Sequence, residues 1–196
     1  TIGKGTFHED SVLVEINVPR SVTLVDEASF NNCMALENIT IGSASAPQGR
    51  MVSTMNAEKA SAAGNTVIGY GAFWNCERLA SVNLTDAVSE IGEYAFRYCT
   101  SLSSLTCARA TPPAVYANAF KNAAAPSSCT LYVPLHCASA YRGSNVWQQF
   151  FIEEADLTGI SQPTVDYIDG SGSVKQRFGL GGQHLSSPTK GINIVR

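Results

Sequence analysis

The chain has 196 residues, 44% of them hydrophobic and only 15% charged. That balance excludes a disordered polymer and a long solvent-facing helix or coiled coil. Thirteen basic residues against sixteen acidic give a net charge of −3. The basic excess expected of a nucleic-acid binder is missing. No apolar run is long enough to span a membrane, and the opening TIGKGTFHED has no apolar segment of a secretory signal.

Read along the chain, the sequence repeats itself. The segments starting at Ile2, Val25, Ile68 and Ile91 align without gaps, and a stretched fifth begins at Val115. They share the pattern Ile-Gly-x-x-small-Phe-x-x-Cys-x-x-Leu-x-x-aliphatic-x-aliphatic. Phe7, Phe30, Phe73, Phe96 and Phe120 mark its register. Each segment closes on alternating apolar and polar residues, the period of a half-buried strand. Inward residues are expected at Ile16 and Val18, Ile39 and Ile41, Val82 and Leu84, and Leu105 and Cys107. Outward residues are Glu15, Asn17, Asn38, Thr40, Ser81, Asn83, Ser104, Thr106, Thr130 and Tyr132. One such unit cannot bury its own apolar face, so the coils must stack. The residue before each Phe is small (Thr6, Ser29, Ala72, Ala95, Ala119), as close approach of the next coil requires. Gly3, Gly69 and Gly92 are read as turn residues with a positive φ.

The repeats, typified by IGEYAFRYCTSLSSLTC, resemble the leucine-rich repeats of BspA-type surface proteins of Bacteroidetes. The resemblance covers Ile2 to about Pro134. It implies a right-handed leucine-rich-repeat solenoid, β-rich with short helices, and a non-enzymatic role. That role is adhesion at the cell surface or after secretion, to a host protein, a bacterial partner or a glycan. Alternatives from other classes are a structural spacer and an accessory module of a larger carbohydrate-active enzyme.

Three segments interrupt or follow the array. Residues 43–65 form an insertion whose centre, Arg50 to Ala63, suits either a short helix or an Ala/Ser-rich loop. Residues 135–155 are expected to cap the solenoid, with a helix over Cys137 to Trp147 and with Tyr141, Trp147 and Phe150 as packing. The solenoid therefore spans 1–155. Residues 156–196 read as a small β-rich module, with strands at Thr164–Ile168, Val174–Phe178 and Gly191–Val195. The end, FGLGGQHLSSPTKGINIV, resembles the C-terminal signature of secreted Bacteroidetes proteins, which implies a link to export or surface retention.

Motifs for chemistry are scarce. His8, His136 and His184 are scattered, with no zinc spacing, no nucleophile elbow and no Walker or dinucleotide fingerprint. Asp166 and Asp169 are too close for a calcium loop. No catalytic residue, metal or cofactor is therefore assigned. Cys33, Cys76 and Cys99 share a repeat column and read as buried thiols. Cys107 and Cys129 are the better disulfide candidates, leaving Cys137 odd.

Two surfaces are candidates for binding. One is the ladder of outward strand residues named above, nearly uncharged, which is either a contact surface or a plain solvated face. The other gathers Tyr70, Trp74, Tyr94, Arg97 and Tyr98 on neighbouring repeats. There Trp74 and Arg97 occupy the same column and are placed to stack as a cation–π pair. Partial burial within the turn is the alternative. The partner expected is a protein or glycan, not nucleic acid, and the chain is expected to be a monomer.

Overall fold

A computed structural model describes residues 1–43, 65–157, 164–168 and 174–179. Cα packing divides the chain into Thr1–Leu157 and Thr158–Arg196. The first unit is a parallel β-solenoid. One sheet holds β1 (Glu15–Pro19), β3 (Asn38–Ser43), β5 (Ser81–Leu84), β7 (Ser104–Cys107), β9 (Thr130–Pro134) and β10 (Phe151–Ala155), in that order. A second sheet, which the sequence pattern does not announce, holds β2 (Leu24–Val25), β4 (Thr66–Ile68), β6 (Val88–Ile91) and β8 (Ala114–Val115). It is built from the aliphatic residue that opens each repeat, and Ile2 extends it through a single parallel bridge to Val25.

The alternation in the closing strands decides which side of the first sheet is wet. Val18, Ile39, Ile41, Val82, Leu84, Leu105, Cys107, Leu131 and Val133 are buried, as the period-two pattern requires. Between the sheets the Phe column forms a continuous stack. Centroids of Phe7, Phe30, Phe73, Phe96 and Phe120 follow one another at 4.9, 5.0, 5.3 and 5.2 Å. Those spacings match the ~4.8 Å between hydrogen-bonded strands, so one ring per coil sets the same rise as the backbone ladder. Phe30 and Phe73 are 43 residues apart yet stack at the usual distance, so the insertion leaves the rise unchanged. Residues 44–64, including the expected helix or loop at Arg50–Ala63, lie outside the described residues.

The small residue before each Phe has a second task. Its carbonyl accepts from the Phe N–H of the preceding coil: Phe7 N donates to Ser29 O at 2.7 Å, and Phe30, Phe73 and Phe96 N donate to Ala72, Ala95 and Ala119 O at 2.8 Å. The side chains of Ser29, Ala72, Ala95 and Ala119 are fully buried beneath this contact.

The glycine column works differently from the expectation. Gly3, Gly69 and Gly92 do not have positive φ. At Gly92 a Cβ would sit 2.9 Å from the Ile68 carbonyl oxygen, and at Gly69 it would sit 3.0 Å from Val25 O, Asp26 C and Glu27 N. These glycines let the backbone of one coil close on the previous one. At Gly3 the nearest atom to such a Cβ, Thr6 Oγ1, is 3.5 Å away. The left-handed backbone lies two residues to either side of Phe: Gly5, Ala28, Gly71 and Tyr94 before it, and Glu9, Asn32, Asn75, Tyr98 and Asn122 after it.

The cap is shorter and more broken than expected. The helix α1 covers only Ala138–Arg142, and a separate 3-10 turn covers Trp147–Gln149, so Cys137–Trp147 is not one helix. Gly143 and Ser144 stand where α1 ends, and glycine is a poor helix former. Tyr141, Trp147 and Phe150 are buried, as expected. Trp147 and Phe150 meet Phe120 edge-on, at interplanar angles of 61° and 78°, and so end the face-to-face stack. Trp147 Nε1 donates to Pro113 O at 3.1 Å and the Tyr141 hydroxyl donates to Arg109 O at 2.7 Å, which satisfies both buried polar atoms. The residues after Phe150, which carry no repeat motif, form β10 and add a sixth strand in parallel register with β9.

In the second unit, β11 (Thr164–Ile168) and β12 (Val174–Gly179) pair antiparallel. They fall where the first two tail strands are expected, and the third, Gly191–Val195, lies outside the described residues.

Candidate functional site

The outward strand residues come into two straight rows. Glu15, Asn38, Ser81, Ser104 and Thr130 are cross-strand partners in sequence, and Phe151 extends their row onto β10. Asn17, Thr40, Asn83, Thr106 and Tyr132 form the second row, which Glu153 extends. Six strands at ~4.8 Å make each row about 24 Å long. The two carboxylates at Glu15 and Glu153 sit at opposite ends, and between them every side chain is uncharged. Phe151 is 58% exposed, the largest apolar group on this face. Phe151 and Glu153 carry no signal in the repeat pattern, because β10 lies in the cap.

The aromatic residues also come together. Tyr70 meets Tyr94 edge-on at 5.6 Å, and Trp74 lies 6.4 Å from Tyr70 and 5.8 Å from Tyr94. The Arg97 guanidinium stacks over Trp74 at 4.7 Å, Tyr98 at 4.8 Å and Tyr94 at 5.0 Å. Arg97 Nη2 donates to the Tyr98 hydroxyl at 3.2 Å. That hydrogen bond, with one to Asn122, lowers the Tyr98 pKa below its usual value. Lys121, one coil further on, places its ammonium 6.0 Å from the Tyr94 ring. The sequence reading did not include Lys121, although it occupies the same column as Trp74 and Arg97, one residue after Phe.

The thiols serve packing. Cys33, Cys76 and Cys99 donate to the carbonyls of Phe7, Phe30 and Phe73 of the preceding coil, at 3.0, 3.2 and 3.3 Å. Burial pushes the Cys33 thiol up to about 11 and the Cys76 thiol up to about 12, and raises Cys99 well above the usual value. Such thiols are not nucleophiles near neutral pH. The proposed Cys107–Cys129 disulfide is overturned: all six cysteines are free. Thr106 pairs with Tyr132 and Ser104 with Thr130, which sets Cys107 and Cys129 at opposite ends of their strands. Four residues of strand separate them, about 13 Å, far beyond the reach of a disulfide. Among the described residues, no three of His, Cys, Asp and Glu gather as a metal site, and no helix is long and apolar enough to cross a membrane.

Comparison with known proteins bears on the fold. A family model described as the BspA type leucine rich repeat region (6 copies) matches residues 1–50 and 66–162. The sixth copy exceeds the five repeats legible in the sequence. A leucine-rich repeat protein from Bacteroides ovatus ATCC 8483, solved by crystallography, is 16% identical, with a TM-score of 0.40 over 79% of this chain. The match covers 45% of that protein, so this chain spans less than half its length. No curated protein matches the chain. With its stacked coils, its Phe and Cys columns and a family match over most of its length, the chain belongs to the BspA type leucine-rich-repeat family.

Proposed function

We propose that the chain is a non-enzymatic interaction module acting at a cell surface, where it adheres to a protein or glycan through the outer face of the six-stranded sheet. The observation that carries this reading is the pair of registered rows. Asn, Ser and Thr each donate and accept hydrogen bonds, so a row of them can match varied partners. Their desolvation costs far less than that of charged groups. The sheet fixes their backbone before contact, which lowers the entropy lost on binding. Tyr132 and Phe151 supply aromatic anchors at one end of the face, the residue types that dominate binding energy at interfaces. Extended faces of this kind are what solenoids offer to partners.

The test is a binding array of extracellular-matrix proteins, bacterial surface proteins and glycans, probed with the full chain. Saturable binding to one member is expected. The triple variant Asn38→Glu, Asn83→Glu, Tyr132→Glu is expected to abolish it while the circular-dichroism spectrum stays unchanged. Retained binding by a folded triple variant sinks the strand-face assignment.

A further inference from the structure

The fourth repeat differs from the others in placing an aromatic residue at both of its left-handed positions. Two residues before Phe the backbone is left-handed, and the other coils place Gly5, Ala28 and Gly71 there; this coil places Tyr94. Two residues after Phe the backbone is again left-handed; three coils use Asn32, Asn75 and Asn122, the first uses Glu9, and this coil places Tyr98. Asn tolerates this conformation and Gly adopts it freely, whereas a bulky residue is strained there. The strain falls twice in one coil, on two residues that close around the same cation. Backbone strain of this kind gathers where a ligand is held.

The cation they close around is not neutralised. Neither Arg97 nor Lys121 takes part in an ion pair among the described residues. Glu93, beside Tyr94 in the chain, accepts instead from the Asn118 side chain at 3.0 Å. A guanidinium has five N–H donors, and among the described residues Tyr98 Oη is the acceptor found for it. Among the described residues Nε is buried without a partner. Aromatic walls hold the guanidinium rigid, which leaves its remaining donors preorganised for an external oxyanion. Lys121 also lines a pocket of about 300 Å³ together with Phe120, Asn122, Val146, Gln149 and Phe150.

We infer that Tyr70, Trp74, Tyr94, Arg97, Tyr98 and Lys121 form a second binding site, separate from the strand face, for an acidic oligosaccharide. Aromatic rings offer flat apolar faces to the C–H faces of pyranose rings. Arg97 donates to a carboxylate or sulfate in two-point geometry, and Lys121 donates to a second anion further along. The pocket that Lys121 lines gives an extended chain somewhere to continue. The net charge of −3 opposes unspecific capture of polyanions.

The test is titration of the full chain at low ionic strength with three probes. One is a heparin-derived hexasaccharide, sulfated and carboxylated; the second is maltohexaose, which is neutral; the third is a tyrosine-sulfated peptide. Saturable binding of the acidic probe is expected, with maltohexaose at least about tenfold weaker, as loss of a charge-assisted contact implies. Arg97→Gln is expected to weaken the acidic probe by about tenfold or more. Tyr98→Asn is expected to weaken it similarly while melting no lower than the parent, since Asn fills that position in three other coils. The strand-face triple variant is expected to keep this binding. Equal affinity for the hexasaccharide and maltohexaose overturns the inference, as does unchanged affinity in Arg97→Gln or Tyr98→Asn. Tighter binding of a tyrosine-sulfated peptide than of the hexasaccharide also overturns it, in favour of an acidic protein partner.

Discussion

Substituting alanine along the glycine column tests the account of coil stacking, because one change is expected to have opposite signs at different coils. At Gly92 the added methyl meets the Ile68 carbonyl oxygen at 2.9 Å. Relieving that contact needs a separation of about half an ångström, since carbon and oxygen rest at about 3.4 Å or more. The same movement stretches the hydrogen bond from Gly92 N to Ile68 O, which is 2.7 Å long. Overpacking of this kind costs about 1–3 kcal/mol, against which the stiffer unfolded chain returns about 0.4–1 kcal/mol. A net loss of about 1–2 kcal/mol is expected, or a Tm lower by about 2–8 °C for a unit of this size. At Gly3 the methyl meets nothing closer than 3.5 Å and φ is not positive. There only the unfolded-state term acts, and Gly3→Ala is expected to raise Tm by about 1–4 °C. Thermal melts of both variants, followed by circular dichroism and checked by urea midpoints, decide the matter. If the two variants shift in the same direction and by the same amount, close approach is not the reason for the column.

Other outcomes follow from the cap and the thiols. Trp147→Ala removes a fully buried ring that ends the Phe stack and leaves Pro113 O without its donor. It is expected to destabilise the solenoid by about 3–5 kcal/mol, measured by urea unfolding, whereas Phe151→Ala on the exposed face is expected to stay within about 0.5 kcal/mol. Cys137 is the one cysteine that is only partly buried. Ellman's reagent at pH 8 is therefore expected to label it first, with the other five reacting only on unfolding; fast labelling of two or more native thiols contradicts the packing. Stability is also expected to fall in alkali. The buried thiols keep their protons to about 11 at Cys33 and Cys129 and to about 12 at Cys76, whereas unfolded thiols lose theirs from 9.0. The unfolded state thus binds fewer protons above pH 9, so the thiols' contribution to stability is fully present below that point and declines as pH rises toward 11–12. A flat profile of urea midpoints across that window refutes it.

Periodicity alone reaches the strand face because strand geometry has no freedom in it. Once Ile39 and Ile41 point inward, Asn38 and Thr40 point outward, and equal spacing in each repeat puts them in register with Ser81 and Asn83. The same equality of spacing makes the Phe stack, the buried Cys column and the Trp74–Arg97 contact readable from the letters. What escapes the letters is whatever depends on two coils meeting through backbone. The glycine column looked like a turn residue because a glycine's two uses, positive φ and close approach, leave the same mark in a sequence. Only the position of the previous coil separates them, and the left-handed residues turned out to be Asn, Ala and Tyr as well as Gly. The Cys107–Cys129 pairing failed for a related reason: neighbouring strands bring residues together only at matching register, and register is set by the whole coil. The sixth strand lacks the Phe and Cys columns that make the other repeats legible, and only its parallel register with β9 reveals it.

Sequence by itself determined the repeat, its inward and outward residues, and which columns fill the core. Tertiary structure decided which glycines are steric and which cysteines can meet. It also decided that Arg97 is enclosed by three rings with Lys121 beside them, because those facts are distances between coils and no single repeat contains them.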